Sequence, residues 1–395
     1  MALGRMLGLA FSRGMFTPLL ILFAVPHAFS TFEVDTLSTS GDTFCQYRTH
    51  LTGTSSPLTA ISAGYGAIVR IDLSNGVRTR LAGNGRSSSA QDGPGEDARF
   101  GRNLYPAFVG GRIVVADYAN FAIRLVDLAS GNSSTLAGNG DTGVQDGAGH
   151  SAAFCSPKHT AHVPGTDFVL IADVVRIRMI DVATGVVSTT AGAIPLTCAH
   201  SSANYGDSTF DSAIECLAVD SDGLTAFVGT YTSIFRVSVA TGSISRIVKT
   251  NQGSSPFTSL VVLPTTSGHS RIMVADDYNH FLWTFEQHAG ASATSCVAAG
   301  SPGNFGSSDG QGTAGKFKSP ASLALMAGGA TVVVWQHDCD NKVRLVNTTM
   351  DSSMCGACSC ISSCMPRMPG IRALLASATP FPLIGTCRDT PAAVD

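Results

Sequence analysis

The residues with chemical potential in this chain are recurring aspartates, a few histidines beside proline, clustered cysteines and a glycine-rich phrase that occurs three times. Asp117, Asp173 and Asp276 each follow Val-Ala or Ile-Ala, and Asn120 and Asn279 stand three residues beyond two of them. A carboxylate followed by an amide at that distance bonds nearby backbone and stabilises a turn. The same oxygens could face calcium or a ligand, but a hard cation wants about six to eight oxygens and no single stretch gathers them, so a structural role is expected. GPGEDA from Gly93, GAGHSA from Gly147 and GQGTAG from Gly310 match a dinucleotide-binding phrase. That chemistry needs a strand before, a helix after and a βαβ unit to bring helical N–H groups to a pyrophosphate. Here strand-like text follows each copy, so the glycines are expected to shape long loops, with Asp92, Asp146 and Asp309 accepting local backbone N–H bonds. His159 and His162 lie close behind Pro157, but two imidazoles on one strand fall short of the three protein ligands a catalytic zinc takes. No HExxH pair is present. No catalytic residue, metal ligand or cofactor is therefore expected.

The cysteines and the N-terminus speak to the compartment. Residues 1–30 read as a secretory signal: Arg5 and Arg13 give the positive region, Met15 to Val25 the apolar stretch, and Ala28 and Ser30 the small residues before a cut. The stretch is shorter than the about 20 apolar residues a membrane helix needs, and no later segment approaches that length. The mature chain is thus expected outside the cell or in the secretory lumen, without a transmembrane segment. Eleven cysteines in such a chain point to disulfides. Cys355, Cys358, Cys360 and Cys364 form a CxxCxCxxxC cluster that export weights toward disulfides rather than zinc. Cys198 and Cys216 flank one loop and could close it, although spacing does not fix connectivity. Asn132 in N-S-S and Asn347 in N-T-T are glycosylation acceptors for the same compartment. With 13% charged residues, a net charge of -3 and no Lys/Arg cluster, nucleic acid is excluded as a partner.

The elements that must position these residues come from a repeat of about 54 residues. LAGNG begins at Leu81 and again at Leu136; DGPGEDARF, DGAGHSAAF and DGQGTAGKF begin at Asp92, Asp146 and Asp309. Phe44, Phe100, Phe154, Phe210 and Phe317 mark one register, and Arg70, Arg124, Arg178, Arg236 and Arg344 a second, with Trp283 in the place of a further arginine. Each copy holds four short β-like runs between turn residues, as a propeller blade requires, with Gly76, Gly131, Gly185 and Gly242 at matching turns. The expectation is an all-β, six-bladed β-propeller with four antiparallel strands per blade. The last copy lacks an outer strand and Phe32 to Ser38 is one to spare, so the N-terminal segment is expected to pair beside Lys342 to Asn347 and close the ring.

VADYANFAIRLVD from Val115, VADDYNHF from Val274 and the DGxGxxARF and LAGNG phrases resemble NHL repeats, over about Phe32 to Met350. The resemblance implies the six-bladed architecture. NHL-type propellers include peptidyl-hydroxyglycine lyases, whose zinc is held by histidines following Pro on inner strands; the matching positions here are Lys158, Phe257 and Ala321. The acidic and amide cluster of lactonase-like propellers has no counterpart in the text either.

The domains expected are a signal peptide over 1–30, the propeller over 31–350 and a cysteine-rich tail over 351–395. The function expected is a binding scaffold for a protein, peptide or glycan, the alternatives being a metal-dependent propeller hydrolase or lyase and a structural matrix protein. Inner-strand starts at Arg48, Tyr105, Lys158, Ala213, Phe257 and Ala321 would ring the channel mouth. Both glycan acceptors are expected on one face, with the Asp-Gly loops and the Asp117 and Asp276 turns opposite. Candidates near the mouth are Arg48, Tyr118, Asn120, Lys158, His159, Asn279 and His280.

Overall fold

Alternating apolar runs broken by glycine and Asx turns produce strands and almost nothing else. The computed structural model describes residues 32–41, 49–86, 89–192, 198, 210–249, 257–265, 269–287, 294–336 and 342–348. They form six antiparallel four-stranded blades. From inner strand A to outer strand D, blade 1 is His50–Gly53, Thr59–Gly64, Ala67–Asp72 and Val77–Ala82, and blade 2 is Leu104–Val109, Arg112–Asp117, Ala122–Asp127 and Ser133–Ala137. Blade 3 runs through Pro157–His162, Phe168–Asp173, Arg176–Asp181 and Val186–Gly192, and blade 4 through Ile214–Val219, Thr225–Thr230, Ser233–Ser238 and Ile244–Lys249. Blade 5 comprises Ser259–Leu263, Ser270–Asp276, Phe281–Gln287 and Thr294–Gly300.

Blade 6 takes strands A to C from Pro320–Leu325, Thr331–Gln336 and Lys342–Asn347, and strand D from Glu33–Ser38. Glu33 pairs with Asn347 and the register runs unbroken to Ser38 beside Lys342, so the first and last parts of the chain close the ring as expected. Inner strands touch in the order of the blades and back to the first. Side chains stitch them at the hub: Leu51 N–H donates to Ser322 Oγ at 2.9 Å, Leu323 N–H to Ser259 Oγ at 3.0 Å, and Thr160 Oγ1 to the Tyr105 carbonyl at 2.9 Å. The cores lie between neighbouring blades, where Phe100, Phe154, Phe210 and Phe317 are wholly buried.

The phenylalanine and arginine registers meet in one cluster. In blades 2, 3 and 6 the guanidinium of Arg124, Arg178 or Arg344 is wholly buried and lies over the ring of Phe100, Phe154 or Phe317, at 4.8, 5.1 and 5.4 Å. Its Nη2 reaches Asp92, Asp146 or Asp309 of the Asp-Gly loop at 2.7, 2.7 and 2.9 Å, and it donates to loop carbonyls as well, Arg178 also to Asp173 and Arg124 also to Ser133 Oγ. Contrary to the expectation of local backbone bonds, these aspartates have partners distant in sequence. They accept from the outer strand instead: Asp92 from Thr135, Asp146 from Thr189, and Asp309 from Thr36 of the N-terminal strand.

Three expectations need correction. The Asp-Gly loops, expected on the face opposite Asn132 and Asn347, run along the outer strand to its start: Gly93 bridges Ser133 and Gly147–Ala148 pairs with Val186 and Val187 of blade 3, covering that strand's unpaired edge. Arg70 and Arg236 are exposed and do not belong with the buried arginines. They sit fourth in their C strands where Arg124, Arg178 and Arg344 sit third, and one residue's shift turns a side chain to the other face of a sheet. Cys198 bonds Cys155, not Cys216, which is a buried free thiol whose burial pushes its pKa up. Cys355, Cys358, Cys360, Cys364, Arg48 and the segments 1–30 and 351–395 lie outside the described residues.

Replacing Arg124 by Ala leaves the wholly buried Asp117 carboxylate and the Asp92 loop without their cation, and urea unfolding is expected to show a loss of about 3–5 kcal/mol. Arg70→Ala, on the exposed side of its strand, is expected to stay within about 0.5 kcal/mol. Non-reducing peptide mapping is expected to recover Cys155 joined to Cys198, with Cys216 alkylated only after denaturation.

Candidate functional site

Antiparallel pairing puts all B–C turns and D–A loops at one end of the blades and all A–B and C–D turns at the other. The two ends are built differently. At the A–B end, positive φ falls to glycine: Gly76, Gly131, Gly185 and Gly242 in the C–D turns have φ of 74°, 72°, 71° and 68°. A Cβ on Gly131 would stand 2.2 Å from the Leu81 carbonyl oxygen of the preceding blade, so these turns admit no side chain. Asn132 and Asn347 are exposed at this end, on the same side as each other.

The B–C end keeps side chains where glycine would be easier. All six non-glycine residues of positive φ among the described residues lie there: Tyr65, Phe121, Val174 and His280 in B–C turns, and Asn103 and Ser319 just before inner strands. Such backbone costs about 1–2 kcal/mol per residue. Four B–C turns also carry a tyrosine. Tyr65, Tyr231 and Tyr278 are 42%, 42% and 66% exposed, and Tyr118 is half-buried. Phe305, 68% exposed, adds a ring 5.7 Å from that of His280.

Buried carboxylates hold these turns from beneath. Asp117 accepts from the Gly101 amide at 3.1 Å and from Asn120 Nδ2 at 2.9 Å; Asp173 accepts from the Cys155 and Ser156 amides at 3.0 and 2.7 Å. Asp276 takes the Asn279 amide at 2.8 Å and its Nδ2 at 2.9 Å, while Trp283 Nε1 at 3.4 Å stands in the place of the missing arginine. Asn120 and Asn279 are therefore turn locks. His280 Nδ1 accepts from the Ser319 amide at 3.1 Å, which ties blade 5 to blade 6.

The B–C end surrounds a channel along the axis, with a cavity of about 490 Å³ lined by the inner strands. Its mouth differs from the expected ring. Blade 1 contributes His50 at the start of its inner strand, and Phe257 is a core residue. Bulges in blades 3, 4 and 6 leave His159, Glu215 and Ala321 out of the ladder. The rings of His50, Tyr105 and His159, from blades 1, 2 and 3, gather within 4.1–5.1 Å of one another, and Lys158 Nζ pairs with Glu215 of blade 4 at 3.5 Å. Sequence reasoning missed His50, because the first repeat lacks the aspartate that marks the turn above it. Burial, with the Lys158 ammonium adding, holds the His159 imidazole down at about 3, and burial beside Asp276 pushes Asp277 up to about 6.

No family model matches the chain and no curated protein matches it. Solved structures do. An auxiliary nutrient binding protein from Bacteroides ovatus ATCC 8483 is 14% identical with a TM-score of 0.55, over 80% of this chain and 77% of that one. Chains from a mitotic checkpoint complex and a nidogen/laminin complex are 14% and 12% identical, both with TM-scores of 0.45, over 86% and 73% of this chain and 98% and 85% of their own. The first similarity supports a propeller fold, and the protein is a six-bladed β-propeller.

Two titrations test the electrostatics of this end. By NMR, the His159 ring is expected to stay neutral to pH 4 and Asp277 to titrate near 6. An unfolded histidine protonates near 6.5 and the folded His159 near 3, so its contribution to stability is full above pH 6.5 and lost as pH falls toward 3. His159→Gln is expected to flatten that acid limb. The Asp277 contribution has the opposite sign, present at acid pH and lost as pH rises from 3.8 through 6, and Asp277→Asn removes it.

Proposed function

We propose that the protein is an exported binding scaffold that engages a protein, peptide or glycan partner through the B–C end of its propeller. One observation carries the reading: exposed tyrosines and left-handed non-glycine residues gather at that end, whereas the other uses glycine. Tyrosine offers a large amphipathic contact with few rotatable bonds, which is why it is enriched where proteins bind. Strained backbone retained on one side alone fits selection for the side chains it displays. Of the residues expected near the mouth, Tyr118 offers contact area and Lys158 and His159 border the channel, while Asn120, Asn279 and His280 hold turns in place. Glycans on Asn132 and Asn347 would leave the B–C end bare.

The test is a photo-crosslinking residue placed singly at Tyr65, Tyr231 and Tyr278, and at Leu58 and Leu224 of the A–B end. Crosslinks to material in the protein's native surroundings are expected from the tyrosine positions only; crosslinks from Leu58 or Leu224 alone would overturn the reading. Tyr65→Gly and Tyr278→Ala are expected to lower partner capture at least tenfold while shifting the thermal midpoint by no more than about 2 °C.

One observation favours the metal-dependent hydrolase or lyase alternative: His50 and His159 bring two imidazoles from different blades to 5.1 Å. Among the described residues no three metal-ligating side chains group together. Stoichiometric metal in the purified protein, with hydrolytic or lyase activity lost in His159→Ala, would decide for the enzyme.

A further inference from the structure

The channel is chemically distinct from the tyrosine-bearing turns around it. Its cavity of about 490 Å³ falls in the range of small-molecule sites, about 300–1,000 Å³. In blade 1, Leu51 is 6% exposed in the core between blades 6 and 1, and His50 and Thr52 line the cavity. Thr160, Ser259 and Ser322 line the same space from blades 3, 5 and 6.

Ser322 and Ser259, 2% and 6% exposed, spend their oxygens on the seams, each accepting an amide proton from the next blade. Thr160 donates to the Tyr105 carbonyl and keeps its lone pairs for an incoming donor. Charge at the mouth is balanced, since Lys158 and Glu215 face one another. Ala218 and Val219 of blade 4 and Val261 of blade 5 give the opposite wall an aliphatic surface. An ionic ligand would lose its hydration and find no uncompensated counter-charge. A lipid chain would strand the hydroxyls.

We propose that the channel binds a neutral polyhydroxylated molecule of mono- or disaccharide size, its hydroxyl rim toward the Thr52 and Thr160 oxygens of blades 1 and 3 and its C–H face toward Ala218, Val219 and Val261 of blades 4 and 5. The site lies inside the channel and not on the tyrosine-bearing turns, so the two readings fail separately.

The probes are glucose, mannose, galactose, N-acetylglucosamine, maltose and cellobiose, with glucuronic acid as the charged comparison, each titrated into the purified protein by saturation-transfer NMR and calorimetry. At least one neutral sugar is expected to bind, and glucuronic acid at least tenfold more weakly. Thr52→Phe, which fills the channel, is expected to weaken binding at least tenfold, with Arg70→Ala, exposed on the third strand of blade 1, leaving it unchanged. Thr52 bonds only its neighbour's carbonyl, at 3.2 Å, so the substitution breaks no contact between blades. Should the phenylalanine unfold the protein, Thr52→Val removes the hydroxyl at nearly constant volume, and threefold or greater weakening is expected. No binding by any neutral sugar, equal binding of glucuronic acid, or binding untouched by both Thr52 variants would overturn the proposal.

Discussion

A guanidinium without solvent stays buried only where carboxylates and carbonyls meet it, and that demand organises this propeller. Arg124, Arg178 and Arg344 each bring together a phenylalanine, the carbonyls of the incoming loop and an aspartate of that loop. The same aspartate receives a threonine from the outer strand, so one ionic cluster joins the inter-blade loop, the third strand and the sheet edge of a blade. Thr36 performs this for blade 6 from the far end of the chain. The cluster thereby reinforces ring closure, beside main-chain pairing and the burial of Phe32 and Val34 against blades 5 and 6. Blade 4 reaches a related end by other means, with Asp211 taking Thr230, Thr232 and Ser233 and meeting Arg246 from the outer strand.

Because the Asp-Gly loops are drawn to the rim, they leave the channel mouth to the short B–C turns. Those turns rest on buried Asp117, Asp173 and Asp276, which accept the amides and side-chain donors that a tight turn exposes. With the backbone held from below, the residues above need not be glycine, and phenylalanine, valine and histidine occupy positions that strain them. The structural carboxylates and the displayed side chains are two parts of one device. The aspartates that looked most chemical in the sequence are thus the supports.

Period and turn residues made the architecture legible. A repeat with four short runs and glycine at matching turns leaves a propeller as the economical fold, and an outer strand missing at one end and spare at the other leaves closure by Glu33–Ser38. The site was less legible for specific reasons. Spacing placed Arg70 and Arg236 with Arg124, but a count of residues between repeats does not say which face of a strand a residue takes. Bulges moved His159 and Glu215 out of the ladder, and nothing in PKHT or IECL announces a bulge. The Cys155–Cys198 bond joins residues 43 apart that only the blade 3 turn brings together. The tyrosine turns stood in the sequence throughout, and only the antiparallel register showed that they share one end.

The account depends on the inter-blade loops being parts of the sheets and not loose connections. Residue-resolved hydrogen exchange on the native protein measures this most directly. Gly93 and Arg99 of blade 2, Gly143 and Ala153 of blade 3, and Gly306 and Lys316 of blade 6 all donate within this arrangement. They are predicted to exchange as slowly as strand amides such as Val115 and Ile171, opening only with global unfolding. Exchange as fast as that of the exposed turn amides Ala129 and Ala183 would contradict it.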